Sequence, residues 1–148
     1  MTEPGTGAPG ADPFGLDRFV RAQSGGTWET ALAELERGRK TTHWMWFVFP
    51  QIVGLGRSPM AQRYAIASLE EAEAYLRHPI LGSRLVRAAE VVADGGGTAE
   101  EIFGGIDAVK LRSSMTLFAR ADPAQDAFTR VLDRCFSGVA DEATLDRL

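Results

Sequence analysis

The stretch THWMWFVFPQ, residues 42–51, packs two tryptophans, two phenylalanines, a methionine and a valine into ten positions. Read as a strand it is apolar on both faces, which only a sheet buried on both sides accommodates. Read as a helix, it places His43, Trp46, Phe47 and Pro50 on one side. No neighbouring segment alternates convincingly enough to serve as a partner strand, and both flanks read as helical. The stretch is therefore expected to form a short buried helix that ends near Pro50, where a proline cannot continue the ladder. That choice makes the fold class all-α.

Working outward, the punctuation is helical on both sides. Upstream, Asp12 before Pro13 reads as a cap followed by a first-turn proline, and Leu16, Phe19, Val20 and Gln23 share a face. Gly25 and Gly26 end that element. Thr27 is the expected cap of the next, whose stripe is Trp28, Ala31, Leu32 and Leu35, and Gly38 is its stop. Downstream, QIVGLGR (51–57) reads as a loop and Ser58-Pro59 as a new start. Ser68 with Glu71 and Thr98 with Glu101 match capping boxes. His78-Pro79 opens a helix carrying Leu81, Leu85, Ala88 and Val92, which Asp94 and three glycines terminate. Ile102 and Phe103 fall in a short turn, and Asp107 is the expected cap of a helix with Leu111, Ser114, Met115 and Phe118. Asp122-Pro123 opens a helix with Phe128, Val131, Leu132, Cys135 and Phe136, stopped by Gly138, and Asp141 opens a last turn. The sum is about seven or eight short helices without a significant sheet. They are expected to form one compact domain over residues 12–148, behind a disordered Gly- and Pro-rich tail over residues 1–11.

The bulk numbers are those of a globular chain. Its 148 residues suit one domain with a real core, and 45% apolar and 24% charged residues are ordinary. A net charge of -4 gives no general reason to expect nucleic-acid binding. Cys135, the single cysteine, makes no internal disulfide, and with His43 and His78 as the only imidazoles no structural zinc site is expected. The opening MTEPGTGAPGADP lacks the apolar core of a secretory signal. The apolar run from Trp44 to Phe49 is far shorter than the ~20 residues a membrane span needs. A cytoplasmic location, no membrane partner and no cofactor are the resulting expectations, and nothing in the sequence indicates the oligomeric state.

Two segments concentrate chemistry. In GRKTTHWMWFVFPQ (38–51), two cations, two hydroxyls, an imidazole and two indoles adjoin. Either the aromatics are plain core with Arg39 and Lys40 in water, or they wall a pocket in which Lys40, His43 and Gln51 bind polar groups around a stacked ring. In DAVKLRSSMTLFAR (107–120), Lys110, Ser113 and Ser114 lie at helical spacing, as do Arg112 and Thr116. Cations and hydroxyls near a helix start suit an anion; the plain alternative is a solvated face. His43 titrates near neutrality and so suits a general acid or base, or else is structural. Glu34 is a surface acid by default, given weight by Lys40 and His43 nearby. Cys135 sits in an apolar stripe and reads as core. GLGRS (54–58) lacks the strand-turn-helix context of a hydrolase elbow.

The strings GRKTTHWMWFVFPQIVGLGRSPMAQRYAI, HPILGSRL and IFGGIDAVKLRSSMTLF resemble the DUF1810 family of small, mainly helical proteins, over about Leu16 to Leu148. The resemblance implies a mainly α-helical domain. Its signature falls on Lys40, His43, Trp44, Trp46, Phe49, Pro50, Gln51, Gly56, Ser58, Lys110, Arg112, Ser113 and Thr116. It brings no activity. A shorter likeness, in WETAL, HPIL and IFGG, is to the NADAR superfamily, tied to ADP-ribose and NAD metabolism, and hints only at a ligand class.

The expectation is thus a site for an anionic, ring-bearing small molecule of nucleotide or ADP-ribose type. Trp44 or Trp46 stacks on the ring, and Lys40, Lys110 and Arg112 bind phosphates. Gln51 and Ser113 orient the ligand, and Ser58 belongs to the same ligand-binding set. If catalysis occurs, N-glycosidic hydrolysis with Glu34 or His43 as general acid or base is the expected reaction. The alternative is a non-catalytic protein-interaction module with the aromatic segment as core.

Overall fold

The computed structural model describes residues 11–148, so the expected tail over residues 1–11 lies, except for Ala11, outside the described residues. Among them are nine helices: α1 (Asp17–Gln23), α2 (Thr27–Arg37), α3 (Met45–Val48), α4 (Pro59–Arg63), α5 (Leu69–Arg77), α6 (Leu81–Asp94), α7 (Ala99–Ala121), α8 (Ala127–Phe136) and α9 (Glu142–Leu145). The aromatic stretch is helical in its middle, as α3. The only sheet-like pairing among the described residues is an isolated parallel bridge between Ile52 and Ile66. Two backbone hydrogen bonds of 2.8 Å, from Val53 N to Ile66 O and from Ile66 N to Gln51 O, make it.

Local chemistry sets most helix starts. Ser58 Oγ accepts from Ala61 N and Ser68 Oγ from Glu71 N, each at 3.1 Å. Thr98 and Glu101 form a complete capping box, with both reciprocal bonds present. The other box is half built: the Glu71 carboxylate accepts instead from Ala67 N and from Arg18, at 2.9 Å each. Thr27 is the first residue of α2 and does not cap it; Gly26, in the left-handed region, stands at that position. The expected helix start at Asp107 is also displaced. The break falls at Gly104, whose φ of 79° and ψ of 165° interrupt α7, a conformation open to glycine and strained for other residues. Asp107 is therefore already within the segment 105–121, and its carboxylate is left for side-chain partners, Lys40 and Lys110.

The long second half of α7 runs through the core. Leu111, Met115 and Phe118 are buried on it beside Tyr75 of α5 and Phe128 of α8. Aromatic rings continue the core from end to end: Phe19–Tyr75 at 5.1 Å, Tyr75–Phe118 at 5.3 Å and Phe118–Phe128 at 5.9 Å between centroids. Such pairs add to area burial. Gly82 lets α6 approach the end of α5, since a Cβ there would lie 2.0 Å from Leu76 O. Arg18 ties the N-terminal helix to the rest, donating to the Phe14, Gly15, Arg63 and Ala65 carbonyls and pairing with Glu71 at 2.9 Å.

Candidate functional site

The aromatic segment is fastened from two sides before it reaches any cleft. Glu34, buried near the end of α2, accepts four hydrogen bonds: from Thr41 N at 2.8 Å, Thr42 N at 3.1 Å, Thr42 Oγ1 at 2.6 Å and Trp44 Nε1 at 2.9 Å. Burial pushes its carboxyl pKa up, but the Thr42 hydroxyl, the Thr41 and Thr42 amides and the indole N–H together outweigh it and hold the value at about 2, below the ordinary 4.5. Glu34 is thus a fixed anion that shapes the 41–44 turn. Its expected role as a general acid or base is corrected on that ground: it is ionised near neutral pH and so has no proton to give, and both its oxygens are occupied by these four donors. Trp44 is only 1% exposed, packed against Phe49 and Phe103. It is therefore a wall of the core, and the expectation that it stacks on a ligand is corrected as well.

On the other side, Lys40 and Lys110 meet at Asp107. Lys40 Nζ is 2.9 Å from Asp107 Oδ2 and Lys110 Nζ is 3.4 Å from Oδ1, with the lysine side chains 9% and 23% exposed respectively. Each ammonium also sits over an indole at 5.3 Å, Lys40 over Trp44 and Lys110 over Trp46. One carboxylate facing two ammoniums leaves one surplus positive charge. The more distant and more exposed partner, Lys110, is where that surplus meets solvent.

Lys110 faces a cleft of about 390 Å³, lined by Gln51, Leu55, Gly56, Ile106, Val109, Lys110, Ser113, Asp141 and Ala143. The volume lies in the range of small-molecule sites. Three elements build it. The loop after α3 contributes Gln51, Leu55 and Gly56. The exposed side of α7 contributes Ile106, Val109, Lys110 and Ser113. The segment entering α9 contributes Asp141 and Ala143. The loop is held close from both flanks. A Cβ on Gly56 would lie 2.5 Å from Ala61 Cβ, and one on Gly54 would lie 2.9 Å from Arg147 Nε. Gly54 also has a φ of 97°, in the left-handed region. The walls are apolar and open to water: Ile106 is 78% and Val109 62% exposed. The α9 segment is tied down by Arg112, which donates to Val139 O at 2.8 Å and Ala140 O at 3.1 Å, and by Thr116 Oγ1, which accepts from Asp141 N at 2.9 Å.

The fold thus gathers Gln51, Lys110 and Ser113 into one concavity. Lys40 stands behind it as the second partner of Asp107. Trp46 is half-buried under Lys110 and lines a much smaller hollow of about 20 Å³ that shares Gln51 and Gly56 with the cleft. Ser58 is outside it, as the cap of α4. Arg112 is also outside; its guanidinium is used on two backbone carbonyls, so its expected contact with phosphate is corrected. His43 is exposed and does not line the cleft, so it cannot serve a ligand bound there. Asp107, Asp141, Leu55, Ile106 and Val109 were not among the expected site residues. The i,i+3 spacing of Asp107 and Lys110 was a readable signal for one of them, and the two β-branched residues at 106 and 109, off the core stripe, for two more.

Other concavities are less suited. A wider one of about 610 Å³ runs between α2, α6 and the 95–97 glycine loop, but most of its charges are matched internally. Arg87 pairs with Glu36 at 3.6 Å, Arg130 pairs with Asp94, and Glu101 closes its capping box, which leaves Arg37 as the one lining charge without a pair among the described residues. One of about 510 Å³ carries Arg18, Arg21 and Arg63 with Asp17, and Arg18 there is fully engaged. Cys135 is half-buried; burial raises its thiol pKa, which the Arg134 charge lowers and the Glu100 charge raises. Among the described residues no helix is long and apolar enough to cross a membrane, and no three His, Cys, Asp or Glu side chains are grouped to hold a metal.

The family described as "Protein of unknown function (DUF1810)" matches residues 13–148. The crystal structure of the conserved hypothetical protein Rv1873 from Mycobacterium tuberculosis is similar at 51% identity with a TM-score of 0.90, covering 93% of this chain and 98% of that one. No curated protein matches. The NADAR likeness finds no support in these matches.

Proposed function

Because the chain belongs to the DUF1810 family, whose description names no activity, we propose from the geometry that the 390 Å³ cleft binds a small molecule with one anionic group and an apolar or ring-bearing body. The carrying observation is the surplus ammonium of Lys110 in a cleft that also holds Gln51, Ser113 and Asp141 and is otherwise walled by Leu55, Ile106, Val109 and Ala143. A charged group in a concavity with exposed apolar walls favours an anion that brings its own apolar surface. One surplus charge suits a carboxylate or a single phosphoryl group better than a diphosphate, which argues against the ADP-ribose class. Glu34 and His43 do not line the cleft, so the proposal is binding and not N-glycosidic hydrolysis.

The test is a titration of ¹⁵N-labelled protein with 4-methylbenzoate, a ring-bearing monoanion. Backbone amide shifts are expected at Gln51, Gly56, Lys110, Ser113 and Ala143, with a Kd on the order of millimolar, about -4 kcal/mol. K110Q is expected to weaken binding roughly tenfold, since a hydrogen bond to a charged group contributes ~1.5–3 kcal/mol. Shifts confined to Arg21 and Arg63, or none at millimolar probe, would overturn the proposal. The apolar exposure of Ile106 and Val109 also fits a docked protein segment, the second reading; a specific complex on size-exclusion chromatography that I106D abolishes would favour it.

A further inference from the structure

We infer that the same cleft selects a zwitterion, a ligand whose anionic group is joined through an apolar or aromatic spacer to an amine. This rests on the binding role just proposed and concerns a second charged group of the cleft. Asp141 lines the cleft as well. Its Oδ2 is occupied, accepting from Thr144 Oγ1 at 2.6 Å, Thr144 N at 3.0 Å and Ser113 Oγ at 3.2 Å. Its Oδ1 accepts no hydrogen bond from the described residues, and no described cation lies within salt-bridge distance of it, in contrast to Asp107. The bonds on Oδ2, with Thr116 Oγ1 on the backbone N–H of Asp141, hold the carboxylate in one orientation and leave one oxygen and a negative charge for a ligand.

The two charged groups reach the cleft from different elements, Lys110 from α7 and Asp141 from the segment entering α9. Ser113, which touches Asp141, lies three residues from Lys110, about one turn or ~5 Å along α7. The cleft thus holds a cation, the Gln51 side chain, the apolar Val109 and Leu55, and an anion in one concavity. A ligand charged at one end alone leaves the other end's charge without a partner. A zwitterion of matching length meets both, and a ligand with two anionic ends meets repulsion at Asp141. The presence of both charges in one cleft, more than its volume, is what would discriminate among ligands.

The test compares 4-(aminomethyl)benzoate with 4-methylbenzoate and benzylamine by the same amide-shift titration, on wild type and D141N. Asparagine keeps an acceptor for the α9 cap. The zwitterion is expected to bind about tenfold more tightly than 4-methylbenzoate, to add shifts at Asp141, Glu142 and Ala143, and to lose its advantage in D141N, where 4-methylbenzoate, relieved of a like charge, binds as tightly as to wild type or more tightly. Equal affinity of the two carboxylates for wild type overturns the inference and leaves the binding role standing. A zwitterion advantage that persists in D141N also overturns it, since the amine then lies elsewhere. Should D141N not fold, the wild-type comparison and the position of the added shifts decide. Failure of all three probes to bind removes the binding role itself.

Discussion

Replacing Glu34 separates a structural anion from a catalytic acid. Its carboxylate is the sole acceptor for the indole N–H of Trp44 and also serves two amides and a hydroxyl of the 41–42 turn. In E34A the buried indole donor loses its partner, at about 1–3 kcal/mol, and the turn loses three bonds to a charged group whose donors are partly open to water. The sum expected is about 3–5 kcal/mol at pH 7. E34Q keeps an oxygen for the three N–H donors and turns an NH₂ toward Thr42, whose hydroxyl can reverse and accept. What it lacks is the charge. A carboxyl at about 2 in the folded protein and near its ordinary 4.5 when unfolded contributes about 3 kcal/mol at neutral pH. That contribution is complete above pH 4.5 and disappears as pH falls through about 2, because the unfolded chain binds the proton first. E34Q is therefore expected to be about 2–3 kcal/mol less stable than wild type at pH 7, with the two curves converging toward pH 2. Urea denaturation across pH 2–7 measures it. Parallel curves, or an E34A variant within 0.5 kcal/mol of wild type, would refute the reasoning ("within about 0.5" being the usual spread for surface changes).

Three further outcomes can be checked by denaturation or thiol chemistry. G82A is expected to lose about 2–3 kcal/mol, because the new methyl meets the Leu76 carbonyl, while G96A, with nothing within 4 Å, stays near neutral. S114A is expected to be neutral or more stable by up to about 1 kcal/mol, since the buried Ser114 hydroxyl has no hydrogen-bond partner to lose. Cys135, with its thiol pKa raised mainly by burial, is expected to react more slowly with iodoacetamide at pH 8 in the folded protein than in urea.

The helix pattern was legible because its signals are local. Ser58-Pro59, Ser68, Thr98 with Glu101, and Asp141 act on amides within three residues, so spacing alone identifies them. Asp107 was misread as a cap for the converse reason. Its real partners include Lys40, which is 67 positions away in the chain by residue number, and the glycine at 104 made the break three residues earlier. The aromatic string was placed in the right class of element, but residue type cannot distinguish an indole sealed on Glu34 from one exposed to a ligand. Arg112 was assigned to the right helix and the wrong neighbour, since carbonyls of a later loop leave no mark on its own sequence. Gln51, Lys110 and Ser113 do share a cleft, although its apolar walls come from residues chosen for no chemistry at all.

The measurement closest to the central claim is a crystal structure of the protein soaked with 4-methylbenzoate. The carboxylate is expected within hydrogen-bond distance of Lys110 Nζ and the Gln51 side chain, with the ring against Leu55, Ile106 and Val109. Density for the probe at the Arg21 and Arg63 surface, with the α7 cleft holding only water, would contradict it.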